Sequence, residues 1–102
     1  MLEKFDAYQV SKKFYWLCKD LKLNRWLRDQ LLRASSSITL NLAEGSGKRT
    51  GTDQSRYYSI AFGSLRECQA ILELEKVDNP EIIKLADQLG AMLYKLSQRP
   101  KP

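Results

Sequence analysis

The chain has 102 residues, 43% of them apolar, and a formal net charge of +5; that is enough for one domain with a modest core and too apolar for intrinsic disorder. It lacks histidine, and Cys18 and Cys68 are its two cysteines, so the usual general base is missing and no metal-ligand spacing is present. No apolar run reaches the length of a membrane span, and Met-Leu-Glu-Lys-Phe-Asp at the start has no apolar signal segment; the expectation is a soluble, cytoplasmic, single-domain protein with reduced thiols.

In chain order, the spacing predicts a first helix over about 6–21. Asp6 is its expected N-cap, and Val10, Phe14, Leu17, Cys18 and Leu21 form its apolar stripe. Tyr8, Tyr15 and Trp16 widen that surface. A second helix is expected over about 25–44, capped by Asn24, with Leu27, Leu31, Ala34, Ile38 and Leu42 in register and Leu32 and Leu40 off it. Ser35, Ser36 and Ser37 interrupt its middle with small residues that compete for backbone hydrogen bonds and permit a close neighbour. Gly45 and Gly47 are expected to end it through positive-φ conformations.

A third helix is expected over about 53–76, capped by Thr52 or Asp53, with a stripe of Tyr57, Ile60, Ala61, Ser64, Leu65, Cys68, Ile71 and Leu72. Gly63 lies inside it at a cost of about 1 kcal/mol relative to alanine, either for close backbone approach or as a tolerated residue. Asn79-Pro80-Glu81 marks the clearest boundary: a cap, a first-turn proline and a carboxylate at the positive helix end. The fourth helix, about 80–97, carries Ile82, Leu85, Ala86, Leu89, Met92, Leu93 and Leu96. Residues 98–102 are expected to fray. With no competing strand pattern, the fold class is all-α, an antiparallel up-and-down four-helix bundle.

Few residues carry chemistry. The loop Gly45-Ser46-Gly47-Lys48-Arg49-Thr50-Gly51-Thr52 has the glycines and lysine of a phosphate loop, but a helix precedes it and Arg49 follows Lys48, so a basic helix-cap loop is the better reading. Asn41, Glu44, Arg49 and Arg56 are expected to form a structural polar cluster, with Glu44 pairing an arginine. No partner acid, metal or nucleophile accompanies Glu44, so neither catalysis nor a cofactor is expected. Cys18 and Cys68 both fall on apolar stripes and read as core thiols.

Residues 37–67 carry a resemblance. Ser37-Ile38-Thr39-Leu40-Asn41-Leu42-Ala43-Glu44-Gly45, then Gly47-Lys48-Arg49, then Ile60-Ala61-Phe62-Gly63-Ser64-Leu65-Arg66-Glu67 resemble, without a gap, the pattern of the bacterial four-helix-bundle family of 23S ribosomal RNA intervening-sequence proteins. Thr39 stands where the family often has proline, and Gln54 where an apolar or aromatic residue is usual. The resemblance implies a non-enzymatic bundle that assembles into a ring-like homo-oligomer, a pentamer. It also implies a fold similar to the accessory proteins of diversity-generating retroelements, which work with a reverse transcriptase and RNA.

Two functions stay open. Residues 1–33 hold eight Lys/Arg against four Asp/Glu, so a basic surface could neutralise nucleic-acid phosphates through Lys12, Lys13, Lys19, Arg25, Arg28, Lys48 and Arg49. Trp16 or Trp26 could stack on unpaired bases. The alternative is an assembly scaffold for a protein partner, favoured by Tyr15, Trp16, Trp26, Leu32 and Leu40, which exceed one bundle stripe.

Overall fold

The computed structural model describes residues 2–98. A 3-10 turn, Leu2–Lys4, leads into α1 (Asp6–Lys19), α2 (Arg25–Ser46), α3 (Gly51–Leu74) and α4 (Pro80–Ser97). Among the described residues there is no strand. Each helix packs on the next and α1 closes against α4, with α2 and α3 sharing the most extensive seam. The result is the expected antiparallel four-helix bundle, with the Cα trace extending 43 × 22 × 18 Å. The residues expected to fray lie, apart from Gln98, outside the described ones.

Local chemistry sets the helix ends. Phe5, in extended conformation, is the N-cap of α1 and gives no side-chain cap. Asp6 is the first helical residue instead, so it acts on the helix dipole and does not cap. α1 ends at Lys19, two residues early, and the Leu21 N–H donates to the Cys18 carbonyl at 3.2 Å. Asn24 caps α2 as expected, its Oδ1 accepting from the Leu27 N–H at 2.9 Å.

α2 runs through Gly45 and stops at Gly47, whose φ is −90°. No described glycine has positive φ, which corrects the role expected for Gly45 and Gly47. Gly45 is buried, and a Cβ there would lie 2.7 Å from Tyr58 Cε1 and 3.1 Å from Tyr57 Cβ. It is a glycine for the sake of close helix approach, not for backbone freedom.

The cap of α3 is Thr50, not Thr52 or Asp53; its Oγ1 accepts from the Asp53 N–H at 3.1 Å. At the other end Lys76 takes φ 51°. Its N–H donates to the Glu73 carbonyl and the Val77 N–H reaches back to the Leu72 carbonyl at 2.9 Å, the six-to-one closure of a Schellman turn. The left-handed position that ends a helix thus falls on a lysine. Asn79 caps α4 through the Ile82 N–H at 3.1 Å, with Pro80 in the first turn.

The core lies between Phe14 and Cys18 of α1, Leu31, Ala34, Ile38 and Leu42 of α2, Ala61, Leu65 and Cys68 of α3, and Ile82, Leu89 and Leu93 of α4. The α3 stripe is shifted from the expected one. Tyr58 is buried where Tyr57 was expected, and Ile60 is exposed. Two adjacent tyrosines make the phase of a 3.6-residue period ambiguous, and the buried Ser55 supplies the missing turn of the stripe. Gly63 is exposed, with nothing within 4 Å of a Cβ built on it; within one chain it is a tolerated glycine.

Hydroxyls join the helices where the serines fall. Ser37 and Ser64 share a hydrogen bond of 2.9 Å between α2 and α3, and Ser11 and Thr39 one of 2.9 Å between α1 and α2. Thr39, at the position where the family often has proline, therefore fastens α2 to α1. Gln54 donates from Nε2 to the Lys48 carbonyl at 3.3 Å, tying the loop to α3.

Candidate nucleic-acid interface

Five of the expected cationic contacts lie along α1 and the start of α2. Lys12 Nζ stands 5.2 Å from the Tyr8 ring centroid and 5.7 Å from that of Trp16, and Lys19 Nζ stands 5.6 Å from that of Tyr15. These cations lie against aromatic rings one helical turn away, which orients them at little cost. Arg28 Nη2 donates to the Lys19 carbonyl at 3.0 Å, so it both holds the end of α1 and brings its charge beside Lys19. Arg25 is exposed in the first turn of α2, next to Trp26, which is 69% exposed. From Lys19 to Arg28 the chain carries Lys19, Lys22, Arg25 and Arg28 against the single carboxylate of Asp20. The α1–α2 turn is thus a cationic end with an indole standing free on it. Lys13 lies apart, in the α1/α4 groove with Leu17 and Glu81.

Lys48 and Arg49 are at the opposite end, in the α2–α3 turn. Lys48 pairs with Glu44 at 3.1 Å and sits 5.1 Å from the Tyr57 ring centroid. The hydrogen bond to the Glu44 carboxylate, helped by Tyr57, holds its ammonium above the usual lysine value. Arg49 is exposed. The structure therefore separates the seven cations into an α1–α2 group of Lys12, Lys19, Arg25 and Arg28, a loop pair of Lys48 and Arg49, and Lys13 by itself on the α1/α4 side.

The polar cluster does not form as one network. Asn41 Nδ2 donates to the Ser37 carbonyl at 2.9 Å and to Ser37 Oγ at 3.1 Å. Glu44 takes Lys48 in place of an arginine. The Arg56 guanidinium lies 5.3 Å from the Tyr57 ring centroid, so Tyr57 is flanked by two cations. The Glu44–Lys48 pair has i,i+4 spacing and would have been legible had α2 been extended past Glu44. The Arg33–Glu67 bridge between α2 and α3, at 2.7 Å, has no signal in local spacing.

Cys18 and Cys68 are buried, free thiols. Burial pushes the Cys18 thiol up to about 12 and raises that of Cys68 as well, the latter chiefly by desolvation and further by Cys18 nearby. No three histidine, cysteine, aspartate or glutamate side chains converge to hold a metal ion among the described residues. No described helix is long and apolar enough to cross a membrane.

Comparison with curated proteins gives no match. A family model does match, that of the 23S rRNA-intervening sequence proteins, over residues 4–95, so it spans all four helices. The four-helix bundle built around Ser37–Glu67 accordingly belongs to the 23S rRNA-intervening sequence protein family.

Proposed function

We propose that this protein is a non-enzymatic, cytoplasmic homo-oligomer that binds RNA through the cationic end at the α1–α2 turn. The observation that carries the reading is the exposed Trp26 indole at the α1–α2 end, in the stretch that also carries Lys19, Lys22, Arg25 and Arg28. Cations neutralise phosphates and release counterions, while an exposed indole stacks on any unpaired base. Several copies repeat the platform and multiply weak contacts. No base-reading motif is present, so the preference is for unpaired or irregular RNA over a particular sequence.

The test is fluorescence anisotropy with a labelled single-stranded RNA. Trp26→Ala should weaken binding by about 1–3 kcal/mol, the usual worth of one stacked base. Arg25→Ala should flatten the salt dependence by roughly one unit of log–log slope. Wild-type affinity that both substitutions leave intact would remove the α1–α2 end from the interface.

A second reading, an assembly scaffold that docks another protein, draws on the exposed Trp16 and Leu40 beside the α1/α2 groove. It predicts an oligomer with no affinity for RNA at any salt concentration.

A further inference from the structure

Two turns share one end of the bundle and carry opposite charge. In an up-and-down bundle the α1–α2 and α3–α4 turns lie at the same end. The packing of α1 on α4 shows it: Trp16, Leu17 and Asp20, late in α1, line one groove with Glu81 and Leu85 from the start of α4. From Lys19 to Arg28 the chain has four cations against one carboxylate; from Glu73 to Glu81 it has four carboxylates against one cation, Lys76. Glu73, Asp78 and Glu81 are exposed and take part in no ion pair among the described residues. Glu73 also stands with Asp87 on the rim of a groove between α3 and α4 that no cation borders. The Cα trace measures 22 × 18 Å across, and neighbouring helix axes in a bundle are about 8–10 Å apart. The end face is therefore divided into a cationic half at α1 and α2 and an anionic half at α3 and α4, each about one helix spacing wide.

We infer that the carboxylates of the α3–α4 turn restrict the cationic end to single strands by repelling the second backbone of a duplex. This rests on the RNA reading proposed above and names the residues that set its preference for unpaired RNA. A duplex carries about one negative charge per 1.7 Å of axis, twice that of either strand alone. It is also stiff, as a persistence length of about 150 base pairs for DNA shows. Laid on the α1–α2 turn, it cannot bend away, and its width overruns a strip one helix spacing wide. The far backbone then stands over Asp78 and Glu81. A single strand follows the strip from Lys19 to Arg28, stacks a base on Trp26 and keeps its phosphates off the carboxylates. Coulomb repulsion falls with distance and is screened over about 10 Å. Carboxylates directly under a duplex therefore count for more than the same carboxylates one helix spacing from a single strand.

The experiment is fluorescence anisotropy at about 50 mM salt with two labelled RNAs of equal length, an unstructured single strand and a perfect duplex. The test variant is Asp78→Asn/Glu81→Gln. The control, Glu3→Gln/Asp53→Asn, removes the same charge from exposed residues at the other end of the bundle, with one of its two positions likewise in the first turn of an α-helix. Wild type should bind the single strand and hold the duplex about tenfold more weakly. The test variant should tighten the duplex roughly fivefold and the single strand less than about twofold. Asp78→Asn alone, which touches no helix cap, should give about half of that gain on a logarithmic scale. The control should move both RNAs alike. A duplex held by wild type as tightly as the single strand, or a test variant that behaves like the control, would overturn the selectivity and leave RNA binding standing. A wild type that binds neither RNA would overturn the reading on which the selectivity rests.

Discussion

Gly45 shows how one side chain's absence sets a helix distance. It is buried in the last turn of α2, against the Tyr58 ring. Gly45→Ala puts a methyl 2.7 Å from Tyr58 Cε1, and the ring cannot retreat from a core in which it is itself 2% exposed. Overpacking of this kind costs about 1–3 kcal/mol, so the midpoint of urea unfolding should fall; an unchanged midpoint would mean that the α2–α3 seam yields. The sequence marks this glycine but not its reason. A glycine beside Glu44 and before Ser46 reads equally as a helix end, and only the partner helix distinguishes the two.

The buried thiols make a second prediction at this scale. Both have folded-state values raised above the ordinary 9.0, Cys18 to about 12. A raised value means that the unfolded chain loses its protons first. The stabilisation is therefore complete below about pH 9 and is lost as pH climbs from there toward the folded values, at about 1 kcal/mol per thiol by pH 10. Urea unfolding at pH 8 and pH 10 measures it, with Cys18→Ala/Cys68→Ala as the control that removes the thiol part of the slope. An equal slope in the double variant would contradict it. The thiols' place was legible because each occupies a stripe position on a different helix.

At the scale of elements, helix ends were readable where a residue has one use. Asn79-Pro80-Glu81 and Asn24 are caps in the sequence and in the fold. Around 50–53 two threonines and an aspartate offer competing caps, and Thr50 takes the role because the helix begins at Gly51. Thr50→Ala should cost about 1 kcal/mol, the usual worth of an N-cap hydroxyl, whereas Thr52→Ala should cost a few tenths at most. Thermal unfolding of the two variants measures the difference, and the reverse order would return the cap to Thr52. The Tyr57–Tyr58 pair was illegible for a related reason: neighbours of the same kind leave the phase of the helix to be decided by packing.

For the whole molecule, the bundle was legible because four capped amphipathic segments with short connections have few ways to bury their stripes. The polar cluster was not, because which partner Glu44 takes depends on where α2 stops. What the fold adds is placement: Lys19, Lys22, Arg25 and Arg28, already close in the sequence, lie at the α1–α2 end with the exposed Trp26, Lys48 and Arg49 lie at the other end, and the α3/α4 groove carries carboxylates. RNA binding by this cationic end, as proposed, is open to a salt titration of the wild-type protein with labelled single-stranded RNA. Clear binding is expected at about 50 mM salt, where the screening length is longer than at physiological ionic strength, with an affinity that falls linearly in log–log form as salt rises. No binding at about 50 mM salt, by an intact oligomer, would contradict it and leave the scaffold reading in its place.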